Sequence, residues 1–205
     1  MEFLVTMTTH VPAGTPDEAI DALRGREAVR AAALAAEGHL LRLWRPPLQP
    51  GEWRTLGLFA ADDDQRLEKE LASMPLRVWR TDEVTPLAPH PNDPLPERRG
   101  PSRVGAEFLT SFALTVPDGT PEAAVEAAKN KERARAEELG EAGSLLRLWR
   151  LPDGPGGQSL DLGLWRVGDA AELQAILASL PLAPWMKVDT TPLSPHPNDP
   201  APAPD

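Results

Sequence analysis

The chain has 205 residues, a formal net charge of −10 and an isoelectric point near 4.9. This acidity argues against nucleic acid or an anionic membrane as a partner. The sequence contains no cysteine, which excludes disulfides, a thiolate nucleophile and cysteine metal ligands. Because no signal peptide, transmembrane run or lipidation motif is visible, we expect a soluble, cytoplasmic protein.

The first ninety residues alternate between strand and helix patterns. Residues 2–11 alternate two unequal sets of side chains, as a half-buried strand does. Thr15 and Glu18 have the spacing of a helix capping box, and Gly38 is a helix stop signal, so a helix is expected between them. The other predicted elements are strands at 40–45, 53–60 and about 77–84 and a helix from 62 that ends before Pro75.

The second half repeats this order closely. Leu40–Arg45 returns as Leu145–Arg150, and Leu87–Pro94 returns as Leu193–Pro200. Its predicted elements are strands at 107–116, 145–150, 160–167 and 185–190 and helices at 121–142 and 169–179. Both halves therefore read β-α-β-β-α-β.

Repeats of this length are domain-sized. We expect one unit at 1–94, a Pro/Arg-rich linker at 95–104, a second unit at 105–200 and a short tail at 201–205. The element order predicts an α+β protein of two ferredoxin-like units. Each four-stranded sheet would have helices on one face, so we expect the two sheets to pack on each other, with cavities beside them.

A glutamate interrupts the apolar stripe of the first predicted helix in each unit. Glu27 lies on the stripe of Ile20, Leu23 and Leu34, and Glu132 occupies the matching place in the second unit. A carboxylate held against an apolar pocket has a raised pKa, which suits a general base or acid. The alternative is a glutamate at the stripe edge that pairs with a neighbouring arginine.

An arginine lies within each apolar Leu-Leu-Arg-Leu-Trp-Arg strand. Alternation places Arg42 on one face with Leu40 and Trp44, and Arg147 is its counterpart in the second unit. A buried guanidinium requires a carboxylate partner. That partner is either an anionic substrate or a protein glutamate that braces the strand to a helix.

The aromatic and histidine side chains give weaker signals. The six tryptophans are expected to build the core and the interface between the units. His90 and His196 lie in Pro-His-Pro segments, where an exposed histidine without a function is expected. Alternatively, such a segment folds over its neighbour and brings the histidine to a cavity mouth.

Four short motifs recur in the same order in both units. They are Arg24-Gly25-Arg26-Glu27 and Lys129-Asn130-Lys131-Glu132, Leu43-Trp44-Arg45 and Leu148-Trp149-Arg150, Met74-Pro75-Leu76 and Leu180-Pro181-Leu182, and His90-Pro91 and His196-Pro197. With the opening Phe-Leu strand and the Val-Pro turn, each unit resembles the muconolactone delta-isomerase family over nearly its full length.

The resemblance implies a ferredoxin-like fold whose sheets pair into a dimeric α/β barrel, which here would be fused in one chain, and assembly into larger homo-oligomers. It implies a double-bond shift in a small anionic enol-lactone, with no cofactor and no metal. A proton beside the carbonyl is removed and returned elsewhere on the dienolate. The glutamate at the place of Glu27 and Glu132 is the implied catalytic base.

This chain departs from the family pattern at several positions that would bind substrate. Arg42 and Arg147 stand where the family commonly has histidine. Trp53 and Thr55 fall near an aromatic and a polar residue of the family, and the second copy has Ser159 and Asp161 there. The lysine kept as Lys129 is Arg24 in the first copy. We therefore expect a substrate other than muconolactone, and two pockets that differ from each other.

Two functions are compatible with the sequence. The first is a cofactor-independent isomerase or cyclase that acts on an enolisable small molecule through Glu27 or Glu132. The second is a non-catalytic binding or structural pseudo-dimer with degenerate pockets. A cofactor-free oxygenase has no specific support.

Overall fold

The computed structural model describes residues 1–94, 104–154 and 158–201. Most of the predicted linker (95–103) and of the tail (202–205) lies outside these residues. The chain divides into two compact units. The first unit contains Met1–Leu87 and the segment that starts at Ser194, and the second unit contains Ala88–Leu193. Each unit thus includes the terminal segment of the other repeat.

The first repeat forms four strands and three helices, and its last two strand residues, Ala88 and Pro89, belong to the second unit. The elements are β1 (Glu2–Thr9), α1 (Asp17–Ala36), β2 (Leu40–Arg45), β3 (Arg54–Ala60), α2 (Asp64–Ala72), a 3-10 helix (Pro75–Trp79) and β4 (Arg80–Pro89). The strand order is β4-β1-β3-β2, with antiparallel pairing throughout. Ser194 and Pro195 extend this sheet by pairing with Arg45 and Trp44 at the free edge of β2.

The second unit repeats this arrangement. Its elements are β5 (Ala106–Leu114), α3 (Glu122–Glu141), β6 (Leu145–Arg150), β7 (Ser159–Val167), α4 (Ala170–Ala178), a 3-10 helix (Ala183–Trp185) and β8 (Met186–Pro195). The antiparallel strand order is β8-β5-β7-β6. Ala88 and Pro89 pair with Arg150 and Trp149 at the edge of β6.

The predicted α+β class and the β-α-β-β-α-β order are confirmed, whereas the ferredoxin-like assignment and the packing of one sheet on the other stay predictions. The fourth strand differs from expectation. A 3-10 helix precedes it, and it continues to Pro89, beyond the predicted end near residue 84. Proline lacks an N–H donor and is uncommon inside strands, which is why we did not extend the predicted strand to Pro86 and Pro89.

The ends of α1 follow the predicted signals in part. The expected capping box is wrong: Pro16 occupies the N-cap position without a side-chain cap, and the Thr15 hydroxyl donates to the Pro12 carbonyl. The stop at Gly38 is confirmed. Gly38 has φ of 78°, and the next amide, that of His39, donates to the Leu34 carbonyl at 2.8 Å. This is a Schellman motif.

Each unit has its own apolar core between its helices and its sheet. In the first unit, β1 alternates buried and half-buried side chains, so Phe3 and Val5 meet Leu34 of α1 and Leu71 of α2. The core of the second unit includes Phe108, Leu139, Trp165, Val167 and Leu173. No helix among the described residues is long and apolar enough to cross a membrane.

Candidate functional site

A cavity of about 450 Å³ lies in the first unit, and we call it cavity 1. This volume falls within the range of small-molecule sites, about 300–1,000 Å³. Its walls come from β1, α1, β2, β3, the 3-10 helix and the segment after Ser194. The polar side chains in the wall are Thr9, Arg24, Glu27, Arg45, Thr55, Arg80, His196 and Asn198, and apolar side chains such as Met7, Leu43, Trp53 and Leu76 complete it.

Glu27 is the carboxylate of cavity 1. The residue is 7% exposed, on the face of α1 that also buries Leu23, Ala31 and Leu34. Its Oε2 accepts the Leu76 backbone N–H at 2.8 Å. Burial raises the pKa of the Glu27 carboxyl, although the Leu76 amide and the positive charge of Arg80 act against this rise. The group is therefore fixed in position and more basic than an exposed glutamate.

Arg80 holds the other oxygen of this carboxylate. Its Nη1 donates to Glu27 Oε1 at 3.1 Å. Its Nε and Nη2 donate to the two carboxylate oxygens of Asp82, at 2.6 and 3.0 Å. Both Arg80 and Asp82 have side chains only 2% exposed. Glu27 and Asp82 thus share one buried guanidinium. Buried charges need such partners, because removing an unpaired charge from water is costly.

His196 reaches cavity 1 from the segment after β8. Its Nδ1 accepts the Asn198 backbone N–H at 3.1 Å. Burial and the positive charge of Arg45 lower the pKa of the His196 imidazole to about 4, although Asp199 acts in the opposite direction. The ring is therefore neutral at pH 7. Because Nδ1 is an acceptor, Nε2 carries the hydrogen and is a fixed neutral donor.

Two further cations line cavity 1. The Arg24 guanidinium lies 4.5 Å from the centre of the Trp53 ring, a cation–π contact, and Arg45 follows Trp44 at the end of β2. These groups make the cavity suitable for an anion.

The second unit has a smaller cavity of about 80 Å³, which we call cavity 2. Glu132 lines it, and its Oε2 accepts the Leu182 N–H at 2.9 Å, as Glu27 does with Leu76. Burial raises the pKa of Glu132, with the Leu182 amide acting against the rise. The residue at the place of Arg80 is Met186, so the arginine contact has no counterpart.

Cavity 2 also contains a histidine and an aspartate. The His90 Nε2 lies 3.7 Å from Asp161 Oδ1, and its Nδ1 accepts the Asn92 N–H at 3.0 Å. Burial and Arg150 lower the pKa of His90 to about 4. Burial raises the pKa of Asp161 to about 6, although the positive charge of Arg150 acts against this rise. Asp161 Oδ1 is buried without a hydrogen bond.

The residues selected from the sequence fall into two groups. Cavity 1 contains Glu27, Arg24, Trp53 and Thr55, and cavity 2 contains Glu132 and Asp161. The other three do not line either cavity. They are Arg42, Arg147 and Lys129.

The strand arginines bind aspartates of the terminal segments. Arg42 Nη2 donates to Asp199 at 3.0 Å, and Arg147 Nε donates to Asp93 at 3.2 Å. Each arginine thus has the predicted carboxylate partner, but this partner is an aspartate of a terminal segment and not a helix glutamate or a substrate. A shift of register between Leu40 and Arg42 breaks the strict alternation from which we assigned the faces of β2. Lys129 is exposed and pairs with Glu126.

Sequence reasoning missed Arg45 and Arg80. For His196, the alternative interpretation, in which its segment brings the ring to a cavity, describes what the structure has. Arg45 shares a face with Leu43, as alternation predicted, but was not selected. Arg80 lay in a strand whose start was misplaced. His196 carries a signal, the Pro-His-Pro motif, but nothing local to it indicates that it completes the first unit. Among the described residues, no group of three or more His, Asp or Glu side chains is placed to hold a metal ion.

The sequence of each unit is similar to known isomerases. A family model for muconolactone delta-isomerase matches residues 1–93 and 106–199. The Muconolactone Delta-isomerase of Cupriavidus pinatubonensis (strain JMP 134 / LMG 1197) is 32% identical over 91 residues, which are 44% of this chain and 95% of that relative. Muconolactone Delta-isomerase 1 of Acinetobacter lwoffii is 33% identical over 91 residues, 44% of this chain and 91% of that relative.

Solved structures share the fold at low identity. A chlorite dismutase from Candidatus Nitrospira defluvii matches with a TM-score of 0.58 and 11% identity, over 95% of this chain and 91% of that one. A heme-binding protein from Thermus thermophilus matches with a TM-score of 0.58 and 12% identity, over 97% and 93%. At these identities the likeness shows the fold alone.

Proposed function

Because the chain belongs to the muconolactone delta-isomerase family, we propose that it is a cofactor-independent isomerase that moves a proton on a small, anionic, lactone-like substrate in cavity 1. The observation that carries this proposal is the position of Glu27. It is a buried carboxylate, fixed by Leu76 and Arg80, in the wall of a cavity that also contains cations and a neutral histidine donor.

In the proposed reaction, Glu27 removes the acidic proton beside the lactone carbonyl. The C–H bond breaks, the proton goes to the carboxylate, and the electron pair delocalises onto the carbonyl oxygen as a dienolate. Glu27 then returns the proton to another carbon of the dienolate, which completes the double-bond shift. A raised pKa makes the Glu27 carboxylate a stronger base for the first transfer, and the acid that it forms donates the proton in the second.

The other polar groups have complementary roles. His196 Nε2–H is a neutral donor for the oxygen on which charge develops, and a preorganised donor of this kind stabilises a transition state more than a mobile one. Arg45 and Arg24 would bind the carboxylate of the substrate. Trp53 and Thr55 would contact its uncharged part.

We also propose the finer fold assignment. The strand orders β4-β1-β3-β2 and β8-β5-β7-β6 support two ferredoxin-like units. That these units pack sheet to sheet as a fused dimeric α/β barrel is part of the same proposal. The boundaries 1–94 and 105–200, a cytoplasmic location and assembly into homo-oligomers remain proposals of the same kind.

The test of the reaction is proton exchange in deuterated water. Candidate unsaturated lactone carboxylates, including muconolactone, are incubated with the protein, and NMR follows both the double-bond shift and the uptake of deuterium. We expect Glu27→Gln to lower kcat at least about 100-fold with little change in KM, since a positioned base contributes about 10²–10⁴-fold. The exposed Glu18→Gln, in the same helix, is the matched control and retains full activity.

Two outcomes contradict the proposal. One is full activity of Glu27→Gln. The other is the absence of label uptake with every enolisable lactone tried, which would favour the non-catalytic pseudo-dimer.

A further inference from the structure

We infer that the chain binds and converts its anionic substrate in cavity 1 only, so that a duplicated protein has a single active site. This inference rests on the proposed function. It adds the number of active sites per chain and the residues that determine which cavity is active. Because both cavities descend from one unit, each position in cavity 1 has a counterpart in cavity 2. The differences between them show what cavity 2 has lost.

The first difference is space. Cavity 1 measures about 450 Å³ and cavity 2 about 80 Å³. The smaller volume equals two or three water molecules, at about 30 Å³ each in the liquid. Bulkier side chains account for this: Phe112, Leu114 and Trp165 stand at the places of Met7, Thr9 and Phe59, and all three line cavity 2. A lactone with a carboxylate side chain requires more room than these residues leave.

The second difference is the loss of positive charge. The cavity 1 wall contains Arg24, Arg45 and Arg80. At the place of Arg80, cavity 2 has Met186, an apolar side chain. Neither Lys129 nor Arg150, the counterparts of the other two, is among the described residues that line cavity 2. Arg150 acts on His90 and Asp161 of cavity 2 without lining it. An anion that enters cavity 2 therefore loses its hydration and meets fewer cations than in cavity 1.

The third difference is a gain of negative charge. Asp161 takes the place of Thr55, and both line their cavities. Asp161 Oδ1 is buried and accepts no hydrogen bond. Glu132 is a second carboxyl group in the same small wall. Because charges interact strongly where water is excluded, the ionised form of Asp161 repels a substrate carboxylate. Thr55 and Arg80 are thus specificity-determining positions of the first unit.

Binding stoichiometry tests the inference directly. The probe is (5-oxotetrahydrofuran-2-yl)acetate, a saturated lactone carboxylate that has no double bond to shift. Isothermal titration calorimetry of the full chain is expected to give one site per chain. In ¹H–¹⁵N spectra, the indole signal of Trp53 in cavity 1 is expected to move, and that of Trp165 in cavity 2 to stay. Trp53→Phe and Trp165→Phe assign the two signals.

Matched substitutions separate charge from size. Thr55→Asp introduces the residue of cavity 2 into cavity 1 and is expected to weaken probe binding at least tenfold. Thr55→Asn has nearly the shape of Thr55→Asp without the charge, and we expect it to bind the probe at least tenfold more tightly than Thr55→Asp. Glu132→Gln, which keeps the oxygen that accepts the Leu182 N–H, is expected to retain kcat within twofold.

Three results would overturn the inference while leaving the isomerase proposal in place. The first is two probe sites per chain. The second is a kcat of Glu132→Gln that is half that of the unaltered chain or less, while the indole signals of the variant match those of the unaltered chain. The third is equal probe affinity of Thr55→Asp and Thr55→Asn. Failure of the isomerase proposal looks different, because the unaltered chain itself then shifts no double bond and exchanges no proton.

Discussion

At the scale of single residues, comparison of the two copies separates structural from chemical requirements. Glu27 and Glu132 accept the same backbone amide in their units, so this hydrogen bond is part of the shared fold. The arginine on the other oxygen occurs only at Glu27. The reaction proposed for cavity 1 therefore uses an arginine–glutamate contact that the two copies do not share.

Asp161 is expected to destabilise the protein near neutral pH. Burial raises the pKa of its carboxyl from 3.8 to about 6 in the folded chain. Because the folded chain binds this proton more tightly than the unfolded chain, protonation of Asp161 stabilises the folded state below about pH 4. This contribution is lost as the pH rises through 6. Asp161→Asn removes the charge and should stabilise the protein at pH 8 by about 1–3 kcal/mol, since each pKa unit corresponds to about 1.4 kcal/mol.

Urea unfolding at pH 4.5 and pH 8 measures this effect. The gain from Asp161→Asn should be largest at pH 8 and shrink toward pH 4.5. The exposed Asp153→Asn is the control and should change stability by less than about 0.5 kcal/mol at both values. A gain that is equal at both pH values would contradict the assignment of the effect to ionisation of Asp161.

At the scale of elements, one glycine inside α1 and one just after it have opposite expected effects. Gly38 follows the helix with φ of 78°, a conformation that strains other residues, so Gly38→Ala should destabilise the protein by about 1–2 kcal/mol. Gly25 lies inside the helix, and an added methyl group would meet no atom within 4 Å. Gly25→Ala should therefore stabilise by up to about 1 kcal/mol.

The difference between the two variants is the informative quantity, and thermal unfolding measures it under one condition. Both substitutions add the same methyl group to open space, so a difference in Tm reports the backbone conformation alone. Equal shifts in Tm would contradict this account.

The periodicity of side chains along single segments predicted the elements and the buried face of α1. The element order and the face of α1 that carries Glu27 follow from repeats of 2 and 3.6 residues, which one segment contains by itself. The orientation of Arg42 could not be predicted in this way, because a register shift in β2 interrupts the alternation. The approach of His196 to cavity 1 depends on pairing between Trp44 and Pro195, which are far apart in the sequence. No local pattern encodes such a contact.

At the scale of the whole molecule, two histidines in identical motifs are expected to have different importance. His196 belongs to the first unit and His90 to the second, and each accepts a backbone N–H through Nδ1. His196→Ala should lower kcat about 10²–10³-fold, since it removes a donor to the developing oxyanion. His90→Ala is the matched control, and we expect it to leave kcat within about threefold.

Kinetics in the proton-exchange assay, with circular dichroism to verify folding, measures both variants. Equal losses in the two variants would indicate that these histidines only hold the terminal segments in place. A loss confined to His90→Ala would contradict the assignment of the active site to the first unit.

The terminal segment that follows β8 also bears on how the duplicated gene persists. A deletion of the second copy would take His196 with it, although Glu27 and most of cavity 1 are encoded in the first copy. Selection for one reaction therefore preserves both copies, even when one of the two cavities does no chemistry. Under such selection the interior of the second copy is free to accumulate substitutions, while its last strand and the histidine beyond it are not.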